Sequence, residues 1–167
     1  MGGNSTLEEF EKNLPTFRFT VLRHVLPLLA QRECHWDLLL APPDNSPYQT
    51  RHPANSTPFD SNAGLLTFEA LLPPDEWANN KFGVKRLPDH RPLYLNYEGP
   101  ISSDRGHVTR VQSGLIQWKV LEEDLLVLSI RQTWPKDTEP NGLLRIAKLP
   151  DNQENSWELQ WKVVTGV

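Results

Sequence analysis

The chain has little sulfur, with one cysteine and one methionine among 167 residues, and its formal net charge of −4 gives it no basic surplus. A single cysteine, Cys34, excludes an intramolecular disulfide and fits a reducing compartment. Long apolar runs are also missing. The longest, such as Val25 to Ala30, fall far short of the roughly 20 residues of a membrane-spanning helix, so no membrane association is expected. Residues 1 to 13 are polar and acidic, with no secretory signal, and a cytoplasmic protein is expected. The acidic balance argues against tight non-specific nucleic-acid binding, which depends on many cationic contacts to phosphate. A polyanion would have to be met locally, and Arg18, Arg23, Arg32, Lys81, Lys85, Arg86, Arg91, Arg105 and Arg110 are the basic residues available for that.

What is present is proline, 15 residues, together with six tryptophans and many short apolar runs. Short runs punctuated by proline favour a mainly β, single-domain architecture over a helical bundle, expected as either a closed antiparallel barrel or two packed sheets with one or two short helices. Thr6-Leu7-Glu8-Glu9 has capping-box spacing, so a short helix from Leu7 to Asn13 is expected within an N-terminal segment, residues 1–16. A β domain then fills residues 17–167. Strands are expected at Phe17 to Leu22, delivering His24 near the end, at Cys34 to Ala41, and at Gly64 to Leu72. Others follow near 82–87, 92–97, 106–112, 114–120, 125–131, 142–149 and 156–164, with turns at Ser113-Gly114, Glu122 to Asp124 and Asn141-Gly142. A short helix start is expected at Pro73 to Trp77. The 42–63 stretch, rich in Pro, Asn, Ser and Thr, reads as a polar loop insertion carrying His52.

Chemistry concentrates in His35-Trp36-Asp37, with His24 upstream and Asp89-His90 further on. On a strand His35 and Asp37 share one face while Cys34, Trp36 and Leu38 take the other, which argues against a Cys34–His35 dyad. Two imidazoles and a carboxylate suit Mn, Fe or Zn and leave positions open for water or substrate. The competing interpretation is structural: a His–Asp hydrogen bond, a strand-end His24, an Asp89 that shapes a turn, a surface His107. Trp36, Trp118, Trp157 and Trp161 are expected in the core rather than as base-stacking platforms.

The ordered set Arg23-His24, His35-Trp36-Asp37, and Asp89-His90 followed by Tyr94 and Glu98-Gly99 resembles the 3'-phosphoesterase family, a nuclease-like domain found in bacterial DNA ligase D and as stand-alone proteins. The resemblance runs from about Phe17 to Trp161. It implies a β-barrel with a groove on one side, His24, His35 and Asp37 as ligands of Mn²⁺ or another divalent transition metal, and His90 and Tyr94 as catalytic residues. His90 would contact the scissile phosphate, with Arg91 and Arg105 as further phosphate-binding candidates. The implied activity is removal of a 3'-phosphate or 3'-ribonucleoside from nucleic-acid 3' ends in DNA repair, by a monomer, with a ligase or polymerase as a further candidate partner. Where the family carries a phosphate-clamping arginine two residues after the metal-binding aspartate, this chain has Leu39. A catalytically impaired module that binds metal or nucleic-acid ends therefore stays open, as does a purely structural domain docking through the 42–63 loop.

Overall fold

The computed structural model describes residues 10–43, 64–137, 142–150 and 155–163. Nine strands make one antiparallel sheet: β1 (Phe17–Val25), β2 (His35–Leu40), β3 (Leu65–Ala70), β4 (Asn80–His90), β5 (Gly99–Pro100), β6 (His107–Leu121), β7 (Leu125–Trp134), β8 (Gly142–Lys148) and β9 (Ser156–Val163). Their order is β1-β2-β3-β4-β9-β8-β7-β6-β5, and a further β1–β6 pairing closes eight of them into a ring. The chain is thus mainly β, as its short apolar runs predict.

Strand alternation decides what the ring encloses. Phe19 and Val21 of β1, Leu38 and Leu40 of β2, Leu66 and Phe68 of β3, Val84, Ile116, Leu128, Leu144 and Leu159 form one buried cluster drawn from all eight ring strands. Trp157 and Trp161 belong to it, and Trp36 and Trp118 pack against it, so these tryptophans serve the core as expected. The opposite faces of β1, β2, β3 and β6 carry a second, smaller cluster of Leu22, Leu39, Leu65 and Val108, covered by Tyr94, Leu95, Tyr97 and Ile101.

Several expectations are corrected. No α-helix occurs among the described residues: of the helix expected from Leu7 to Asn13, residues 10–13 are irregular with a turn and residues 7–9 lie outside the described residues, and the Pro73 to Trp77 helix start is one 3₁₀ turn, Pro74–Glu76. The strand expected at 92–97 is instead a 3₁₀ helix, Pro92–Leu95, because Pro92 has no N–H for a ladder and the Tyr94 and Asn96 amides donate back to the Arg91 and Leu93 carbonyls at 3.0 and 3.1 Å. Ser113-Gly114 is not a turn but an irregularity inside the continuous strand β6. Gly114 serves close approach, since a Cβ there would stand 2.0 Å from the Arg131 carbonyl oxygen. Most of the 42–63 insertion, with His52, and Asn141 of the Asn141-Gly142 turn lie outside the described residues.

The 3₁₀ helix is tied down on β1, where Thr20 donates to the Leu95 carbonyl at 3.1 Å and Arg18 to Asn96 Oδ1 at 2.7 Å. That tie holds the segment with His90 and Tyr94 over the outer face of β1 and β2.

Candidate functional site

The register of β1 and β2 builds the centre. His24 lies directly across from His35, and Leu22 across from Asp37, so the two histidines and Asp37 stand on one face of two paired strands. Ligand atoms of His24, His35 and Asp37 all lie within 4.8 Å of one another. His35 and Asp37 are buried, at 1% and 2% exposure.

Backbone carbonyls set the orientation of both rings. His24 Nε2 lies 2.8 Å from the Arg105 carbonyl oxygen and His35 Nδ1 lies 3.0 Å from that of Glu33. Each of those nitrogens must donate, so in the neutral ring the lone pair sits on the other nitrogen. Those nitrogens are the ones that face Asp37: His24 Nδ1 is 3.7 Å from Oδ2, and His35 Nε2 is 3.2 Å from Oδ1. Two lone pairs turned toward a buried carboxylate require a cation or a proton between them. Asp37 Oδ1 is buried, and its 3.2 Å contact with His35 Nε2 is a hydrogen bond only when that nitrogen carries a proton; the two separations bracket the roughly 3.4 Å between ligands bound at about 2.1 Å in tetrahedral directions. The residues therefore fit a divalent metal, with carbonyl-oriented histidines of the kind metal centres use.

Electrostatics agree with that geometry. Burial pushes the Asp37 carboxyl up, but hydrogen bonding from His24 and His35 and the charges of His35 and His90 hold it at about 2, below its ordinary 3.8. Burial works against the charged form of His35, yet the Asp37 hydrogen bond and charge, the Glu33 carbonyl and the Glu69 charge together raise it above 6.5. A metal at His35 Nε2 would compete with the proton that Asp37 favours there. The signs give a prediction. Stability from raised His35 is fully present below pH 6.5 and is lost as pH rises through its folded value, while that from Asp37 is present above 3.8 and lost as pH falls through about 2. Urea midpoints of metal-free protein should fall on the alkaline side of 6.5, whereas the stabilisation produced by added Mn²⁺ should grow there.

His24, His35 and Asp37 open into a groove of about 780 Å³ that His90, Arg91, Tyr94 and Arg105 also line. His90 Nδ1 donates to the Pro88 carbonyl at 3.0 Å, which turns its Nε2 away from that contact, and its ring meets Tyr94 edge-on at 5.7 Å. Asp89, buried and paired with Arg86, braces the end of β4 rather than joining the metal group. Arg91 is exposed on the groove.

Other candidates are placed differently. Arg23 alternates to the face opposite His24 and does not line the groove. The Arg105 guanidinium is turned into its own loop, donating to the Ser102 carbonyl at 2.8 Å and Ser102 Oγ at 3.1 Å; its backbone oxygen is what serves the site. Gly106 makes that possible: its φ is +86°, and a Cβ would fall 1.9 Å from the Val25 carbonyl oxygen. Cys34 is exposed just before β2, and its Sγ accepts from the Leu26 amide at 3.5 Å. His107 is an exposed residue at the start of β6.

Sequence reasoning missed Glu69. It pairs across from Asp37, with Oε1 3.6 Å from His35 Nδ1 and Oε2 2.6 Å from Arg32 Nη2. An acid inside the apolar strand Leu65–Ala70, on the face shared by Leu65 and Thr67, was the available signal.

Compared with known proteins, the chain matches no family model and no curated relative.

Proposed function

We propose that this chain is a metal-dependent phosphoesterase of nucleic-acid 3' ends, a cytoplasmic monomer built on a β-barrel of the 3'-phosphoesterase kind. One observation carries the reading: the His24–His35–Asp37 group shares its groove with His90 and Tyr94, the residues that the sequence resemblance makes catalytic, and with Arg91, a further phosphate-binding candidate. Held by His24, His35 and Asp37, Mn²⁺ or a similar ion would supply Lewis acidity toward a phosphate oxygen and a water of lowered pKa.

The chain's own residues account for the remainder. Buried Asp37 supplies the negative charge that holds a dication, and the Arg105 and Glu33 carbonyls keep both imidazole lone pairs turned inward. His90, fixed by the Pro88 carbonyl through Nδ1, presents Nε2 for donation to a phosphate oxygen or the leaving oxygen when the ring carries both protons. Tyr94 packs its ring against His90 and the apolar floor, which fixes the histidine plane. Arg91 is the exposed cation on the groove best suited to a phosphate.

The test is end trimming of a primer-template bearing a 3'-phosphate or one 3'-ribonucleotide. Products ending in 3'-hydroxyl are expected with Mn²⁺ and none with chelator. His90→Ala should lower the rate about 100-fold or more while leaving metal affinity intact. A second reading has its own support: Leu39 is fully buried in apolar contacts where the family pattern would have a cation. Metal binding without any trimming by the unmodified protein would establish that reading, a module that holds metal or nucleic-acid ends without turnover.

A further inference from the structure

Between the two histidines of the metal group the chain leaves β1, turns, and returns as β2. The Ala30 amide donates to the Pro27 carbonyl at 2.9 Å, which places Leu28 and Leu29 at the corners of that turn. Such corners usually hold Gly, Asn, Asp or Ser. Here two leucines stand wholly in solvent, at 103% and 96% exposure, whereas no other large apolar side chain among the described residues exceeds 57%.

The base of the turn is anchored. Leu26 donates to Cys34 Sγ at 3.5 Å, and Arg32 pairs with Glu69 at 2.6 Å. Leu26, Pro27, Ala30 and Arg32 line the groove of the metal group, so the leucines stand at its rim on the same turn. Arg91 lines that groove as well. An apolar tip beside a groove that holds the metal group and the exposed Arg91 matches a ligand with a flat apolar part covalently joined to an anion, which is the make-up of a terminal nucleotide.

We propose that Leu28 and Leu29 form an apolar wedge that packs against the terminal base of a nucleic-acid 3' end while its phosphate lies at the metal group. The proposal rests on the phosphoesterase reading and names how that site would grip its substrate. Leucine side chains are suited to the task, because apolar wedges press against base faces without reading sequence.

The test compares the full chain with its Leu28→Ser/Leu29→Ser variant on two Mn²⁺-supplied primer-templates. One ends in an ordinary 3'-phosphonucleotide, the other in an abasic residue carrying the same 3'-phosphate. On the ordinary end the variant should raise KM about tenfold. On the abasic end, wild type and variant should share one elevated KM, and Mn²⁺ affinity should be unchanged. Leu28→Met/Leu29→Met should restore the low KM. Equal KM values for wild type and the serine variant on the ordinary end overturn the wedge, as does an equal rise on both ends. Wild type that forms an oligomer in sedimentation, dissolved by the serine changes, overturns it too by making the leucines a self-contact. A wild-type chain inert on both ends overturns the phosphoesterase reading and the wedge with it.

Discussion

Replacing Asp37 with asparagine is expected to remove divalent-metal binding. The loss should exceed the roughly 10–100-fold that follows from removing an outer partner of a metal ligand, because Asp37 supplies the one formal negative charge in the donor set. Asparagine keeps the volume, but its amide NH₂ cannot ligate, and it adds donors beside nitrogens already turned inward by the Arg105 and Glu33 carbonyls. Calorimetric titration with Mn²⁺ and Zn²⁺ measures the effect directly. Thermal unfolding checks it independently: metal at 100 times its Kd should stabilise the unmodified protein by about 2.7 kcal/mol and the variant hardly at all. An affinity within tenfold of the unmodified chain would place the metal elsewhere.

Leu39→Arg is expected to destabilise the protein by about 3–5 kcal/mol, the scale for an unpaired buried charge, without raising 3'-end trimming. Leu39 shares a face with His35 and Asp37, yet it is completely buried on the floor with Leu22, Leu65 and Val108, beneath Tyr94 and Tyr97. A guanidinium could reach the groove only by displacing that cover. The urea midpoint and the trimming rate together decide the matter. A variant as stable as the parent, with faster trimming, would show that the floor yields and that the site lacked only this cation. With the floor intact, the exposed cation that the groove offers a phosphate on the proposed reading is Arg91 at its rim.

The alternation in His35-Trp36-Asp37-Leu38-Leu39 was legible because neighbouring strands bury one whole face in a large core, which leaves the other three residues no alternative side. The partnership of His24 with His35 was legible only as a suspicion, since the register that sets them opposite depends on the path of residues 26–34. Arg105 illustrates what a sequence conceals. Its side chain attracted attention as a cation, whereas its carbonyl, held by a glycine-dependent loop, orients the His24 ring, and no residue pattern marks such a peptide oxygen. The segment after His90 misled for a related reason: Pro92, Leu93, Tyr94 and Leu95 look strand-like in composition, but proline and the Arg91 carbonyl divert them into a single tight turn. Glu69 stood out in sequence only as an acid in an apolar strand, and its contact with His35 was set by the pairing of β3 with β2.

The β1–β6 pairing described above also bears on how this molecule behaves in a crowd. A sheet that stops at two long bare margins offers other chains a template for strand addition. Here the closing pair joins one end strand to the far side of the ring, and the strand left outside it, β5, is two residues long and ends in Pro100. Among the described residues there is therefore almost no free margin on which a neighbouring copy could extend the ladder. A chain this rich in β-structure should consequently resist fibril seeding while folded, and its hazard should lie in molecules in which β1 is not paired with β6.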